Sequence, residues 1–111
     1  MRSRLDDAEM RGNILRHANR YGVLNQTLGA TFAVPPGAPH CLVLDANGVA
    51  RNVTLPANPR KGDFFYISNP AAGAFALTIQ DSAAAALVPA LSVAQGGTAF
   101  VFWSGTSWRH T

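Results

Sequence analysis

From Leu28 to the C-terminus, short apolar or alternating runs are cut apart by residues that cannot continue a strand, and this punctuation constrains the chain more than any other feature. Pro35-Pro36-Gly37 and Pro56-Ala57-Asn58-Pro59 interrupt it because proline has no amide for a sheet ladder. Asn47-Gly48 lies between two apolar runs and tolerates the positive φ of a tight hairpin turn. Asn69-Pro70 with Gly73, and later Gly96-Gly97, act in the same way. The runs between them predict strands over Leu28 to Val34, His40 to Leu44, Val49 to Leu55, Phe64 to Ser68, Phe75 to Gln80, Leu87 to Leu91, Ala99 to Trp103 and Trp108 to His110. Phe75, Leu77 and Ile79 alternate cleanly enough to share one buried face, as do Val49, Val53 and Leu55 with Arg51 interrupting. Ser82 to Ala86, with four consecutive alanines, reads as a loop or a single turn. No strict internal repeat is visible.

The first residues obey a different period. Ser3 followed by Asp6, Asp7 and Glu9 resembles a helix start, with acids near the positive end of the helix dipole, and Gly22 fits the stop. Leu5, Ala8, Leu15 and Ala18 fall near one face, with Ile14 and Tyr21 beside them. The stripe is narrow, and Gly12 costs about 1 kcal/mol relative to alanine, so such a helix needs a partner surface. The expected architecture is therefore mainly β: a compact antiparallel β-sandwich or barrel-like domain over residues 28–111, preceded by an N-terminal α-helical arm over 1–27. The chain length, 111 residues, suits one core.

Composition bears on what surrounds this domain. Only 14% of residues are charged against 48% hydrophobic, well below the rough quarter of charged residues usual in soluble proteins. Few charged side chains remain to shield sheet edges or apolar patches, which suggests burial against partner subunits. Lys61 is the only lysine among nine basic residues, and arginine favours paired contacts at interfaces. Arg2, Arg4, Arg11, Arg16 and Arg20 crowd the first twenty residues, which fits a solvated helix, an interface arm or, less well, a nucleic-acid contact. Nucleic acid is not the expected partner. The start has no continuous apolar run, so neither a secretory leader nor a membrane span is expected.

Patterns that carry catalysis are missing from the sequence. There is no Gly-x-Ser-x-Gly, Ser104-Gly105-Thr106-Ser107 has a turn composition, and Asp45, Asp63 and Asp81 stand at strand ends where aspartate serves turns. His17, His40 and His110 are too scattered for a metal set, and Cys41 is the sole cysteine, read here as a small buried hydrophobe. Gly96-Gly97 is followed by a strand-like run instead of lysine and a helix, so it is no phosphate loop. We expect no catalytic residue, no cofactor, no metal and no enzyme activity. The aromatics Trp103, Trp108, Phe64, Phe65 and Tyr66 fit three roles: core packing, a subunit interface, or a stacking platform for sugar rings or bases.

Val53-Thr54-Leu55-Pro56, then Lys61-Gly62-Asp63 leading into Phe65-Tyr66-Ile67-Ser68-Asn69, Leu77-Thr78-Ile79, and Gly97-Thr98-Ala99-Phe100-Val101-Phe102 with Gly105 and Trp108 together resemble a β module of tailed-bacteriophage virion proteins, of the head-decoration (cement) or tail-fibre type. The resemblance spans roughly Val49 to Arg109 and brings no catalytic residues. It implies a virion structural protein in an assembly, often trimeric. A short arm before a single module looks more like a capsid decoration protein than a fibre with a long shaft. The expectation is a homotrimer on the outer capsid surface that binds the major capsid protein. Arg4, Arg11, Arg16 and Arg20 would meet acidic groups while Leu5, Ile14 and Leu15 fill an apolar groove, and Phe64, Tyr66, Trp103 and Trp108 form the possible subunit interface. The alternative is a tail-fibre or tail-tip receptor-binding module that presents Trp103 and Trp108 to host glycans.

Overall fold

The β-branched and aromatic residues between the breakers form strands where they alternate between two environments. In Phe64–Ser68, Phe65 and Ile67 are buried while Phe64, Tyr66 and Ser68 face away. The structure is a computed structural model that describes residues 21–111. Among these, the strands in chain order are β1 (Val23–Thr27), β2 (Phe32–Ala33), β3 (Cys41–Asp45), β4 (Arg51–Thr54), β5 (Phe64–Ser68), β6 (Leu77–Gln80), β7 (Ala86–Val93), β8 (Thr98–Trp103) and β9 (Trp108–His110). The helical arm expected from Arg4, Leu5, Arg11, Ile14, Leu15, Arg16 and Arg20 lies outside the described residues. Val23–Thr27, the last residues of the stretch assigned to that arm, form a strand of the β body.

The strands make two sheets, ordered β1-β3-β5-β8-β9 in the first and β2-β4-β6-β7 in the second. From β1 to β6 the chain changes sheet at every step and returns one strand further along, so like-numbered neighbours run parallel. A strand in the opposite sheet thus supplies the crossover that parallel pairing demands. At β6 the winding stops. β7 turns back antiparallel on β6 in the second sheet, while in the first sheet β8 pairs antiparallel with β5 and β9 antiparallel with β8.

The fold is mainly β, as expected, but the sheets are mixed where antiparallel ones were expected. The Asn47-Gly48 turn accounts for the difference. Both residues have positive φ, 58° and 84°, and Asp45 Oδ1 accepts the Asn47 amide at 2.8 Å. Yet β3 and β4, which flank the turn, belong to different sheets. The turn makes a corner instead of a hairpin, because turn chemistry sets local backbone direction and leaves the choice of partner strand to the two buried faces.

Those faces interlock as ladders. In the first sheet Leu24, Leu42, Ile67 and Ala99 are in register across four strands, and in the second Phe32, Val53, Ile79 and Leu91 do the same. Val53, Ile67, Ile79 and Val101 are fully buried between them. Each such side chain stabilises the fold by roughly 2 kcal/mol through removal from water. Leu77 and Ile79 share the buried face the alternation predicted, with Phe75 packed against it. Val49 departs from its expected face: it stands before β4 and is exposed, while Val53 and Leu55 are buried.

Candidate interface on the outer face of the first sheet

The two outward faces differ in chemistry. On the second sheet the outward positions of the central strands are Asn52, Thr54, Thr78 and Gln80, with Ser92 in register beside Thr78. This is a polar face of the kind that water covers. On the first sheet, Val23, Cys41, Tyr66 and Phe100 stand in one row across four strands. The next row carries Phe64 opposite Phe102, with Arg109 at its end. Among the described residues this outward face is apolar and partly exposed, while the inward face of the same sheet fills the core.

The rings on this face hold one another. Tyr66 and Phe100 have centroids 5.0 Å apart, Phe100 and Phe102 5.7 Å, and Phe64 and Tyr66 meet edge to face at 6.1 Å. His40 stacks flat on Phe64 at 3.9 Å, and its Nδ1 donates to the Phe64 carbonyl at 2.6 Å. Ring pairs in this distance range add about 1 kcal/mol each beyond their buried area. Tyr66 nevertheless remains 47% exposed and Val23 54%. The face is therefore preformed and open among the described residues, which lowers the entropic cost of covering it.

The four residues expected at a subunit interface separate into two pairs. Phe64 and Tyr66 lie together on the outer face. Trp103 and Trp108 are in register with each other across β8 and β9, and their rings meet at 5.6 Å on the inward side, where Trp108 is only 5% exposed and contacts Phe65. Sequence reasoning missed Phe100 and Phe102 as members of the face, although the alternation Phe100-Val101-Phe102 carries the signal. Cys41 also departs from expectation, being exposed on this face and not buried.

The remaining polar groups serve turns. Asp63 Oδ2 accepts the Arg60 amide at 2.9 Å, and Asp81 Oδ1 accepts the amides of Ala83 and Ala85. Ser104 Oγ donates to the Ser107 carbonyl at 3.0 Å and lies 3.2 Å from its amide. Among the described residues no group of three or more His, Cys, Asp or Glu side chains is placed to hold a metal ion, and no helix is long and apolar enough to cross a membrane.

No family model matches the chain, and no curated protein matches it. Five solved chains do. One of them, described as "Structure of a chaperone-substrate complex", superposes with a TM-score of 0.54 and 16% sequence identity over 80% of this chain. The match spans 17% of that chain's length, and at this identity the likeness concerns the fold alone.

Proposed function

We propose that this protein is a non-catalytic structural module of a virion, a capsid decoration protein that associates with copies of itself, as a trimer, through the aromatic outer face of the first sheet. One observation carries the reading: the contrast between a polar outer face on the second sheet and the row Val23, Cys41, Tyr66, Phe100 on the first. A solvated sheet face is polar, and an exposed apolar patch rimmed by polar groups marks an association surface. The resemblance of residues Val49 to Arg109 to phage virion modules supplies the setting. Residues Arg4 to Arg20 are the second contact, directed at the shell. The protein acts by adhesion: it binds the assembled shell, shifts the equilibrium toward assembly, and adds its contribution at every copy on a symmetric surface.

Sedimentation of the full chain tests the oligomer. The wild type runs as a trimer, Tyr66→Lys runs as a monomer, and Thr78→Lys on the polar face changes nothing. A wild-type monomer overturns the reading of the face. Binding of the chain to preformed phage shells tests the setting separately, and deletion of residues 1–21 removes that binding if the arm is the shell contact.

A further inference from the structure

At the loop end of the two sheets lies a second feature that the assembly reading leaves unused. The Pro56 to Pro59 loop, the Asp81 turn with the start of β7, and the Ser104 to Ser107 turn enclose an open cleft of about 670 Å³. That volume is within the usual range for small-ligand sites. We infer that this cleft binds a neutral oligosaccharide, with Trp103 as the stacking surface and Asn58 as a polar anchor.

The chemistry of the walls selects the ligand class. Trp103 is half-buried and packs edge-to-face with Trp108, so the indole that lines the cleft is fixed before anything binds. A flat apolar ring suits the C–H face of a pyranose. Around it Pro56, Pro59, Ala86, Leu87 and Val88 add apolar wall, and Asn58, Ser82 and Thr106 bring amide and hydroxyl groups that match the ligand's hydroxyls. Among the described residues the side chains of Asn58 and Ser82 form no hydrogen bond, so they need not break one to engage a ligand. The walls bring in one acid, Asp81, and one base, Arg109. A polyanion such as a nucleic-acid strand requires several cations along its path, and the cleft does not supply them. A purely apolar ligand would leave the amides and hydroxyls unpaired.

The walls are also stiff. The Ser104 side chain ties its turn to both the amide and the carbonyl of Ser107, and Asp81 takes two amides of the facing turn. Preorganised walls lower the ordering cost of binding, which matters for a weakly held sugar. The inference is independent of the oligomer, since the cleft lies at the loop end of the sheets, lined by turns and by the adjoining ends of β7, β8 and β9, and Arg109 is its one member that also borders the aromatic face.

The test is ligand-observed NMR titration of the full chain with lactose, chitobiose and maltotriose. At least one binds saturably with a Kd of roughly 0.1–10 mM. Trp103→Phe, and Asn58→Gly, which keeps the positive φ of 52° while removing the side chain, each weaken that binding by roughly 3- to 10-fold, while Thr78→Lys leaves it unchanged. A matched thermal melt shows that each variant is folded. Failure of all three sugars to bind saturably overturns the inference, as does binding that both cleft variants leave intact.

Discussion

Asn69 and Val93 are joined by a hydrogen bond from side-chain amide to main-chain carbonyl, 3.0 Å long and fully buried, that ties the end of β5 in the first sheet to the end of β7 in the second. The same amide donates to the Phe75 carbonyl at 2.7 Å, and Oδ1 accepts the Ala71 amide at 3.1 Å. The Asn69 backbone pairs with Gly96 and Gly97. One side chain thus satisfies three main-chain groups where the loop over 70–76 packs down and has no ladder of its own. Replacement Asn69→Ala leaves those groups buried without partners. The expected loss is about 3 kcal/mol in urea unfolding, whereas Asn25→Ala on β1 shifts stability by no more than about 0.5 kcal/mol. Equal effects would mean that the buried amide is not the clasp between the sheets.

Ile79 tests the facing of the second sheet. It stands in register with Val53 and Leu91 and is fully buried, while Thr78, next in sequence, faces out. Truncation Ile79→Ala is expected to cost about 2–5 kcal/mol and Ile79→Val about 1 kcal/mol, since the ladder cannot collapse into the space left. Thr78→Ala is expected to cost less than about 0.5 kcal/mol. The same denaturant series measures all three, and a costly Thr78→Ala beside a mild Ile79→Ala would reverse the assigned face.

How far the sequence could be read follows from which forces are local. β5 occurs at Phe64–Ser68, as its flanking breakers predict, and Leu77 and Ile79 share a face because period-two alternation is a backbone property. Pairing is not local. Asn47-Gly48 has the dihedrals of a hairpin turn and serves a corner between sheets. The turns of the winding have unequal lengths, with Cys41 opposite both Val23 and Tyr66, so no repeat shows in the sequence. Cys41 was misread for a related reason. Where both faces of a strand are apolar, the sequence cannot distinguish the core side from the outward side, and here the outward side is made by Tyr66 and Phe100 from distant strands. Trp103 and Trp108 face inward because of the β8–β9 register, which a short Ser104 to Ser107 turn does not reveal.

Ala84 holds φ at 61° in the turn that Asp81 organises, where its amide donates to the Asp81 carbonyl at 3.0 Å. This left-handed conformation costs an L-residue roughly 1–2 kcal/mol, and glycine adopts it freely. Glycine also gains entropy in the unfolded chain, which offsets part of the relief. Ala84→Gly is therefore expected to raise stability by up to about 1 kcal/mol, the opposite of what an alanine-to-glycine change does in a regular strand or helix. Thermal unfolding of the variant beside wild type checks the sign, and a lower midpoint would place Ala84 elsewhere in backbone space.

Cys41 offers a direct view of the aromatic face, because its exposed thiol stands between Val23 and Tyr66 in the row that the proposed oligomer covers. If that face is the subunit contact, maleimide reaches the thiol only when the contact opens. The expected labelling rate in the wild-type oligomer is lower by about tenfold or more than in the unfolded chain, a ratio that needs only ~1.4 kcal/mol of protection. Tyr66→Lys places a charge beside Cys41, separates the subunits, and brings the rate to that of a free surface thiol. The readout is specific to the face, since the thiol sits in its central row. An oligomer whose Cys41 reacts as fast as that of the Tyr66→Lys variant would show that the subunits meet elsewhere, and the aromatic row would then have to be covered by another partner.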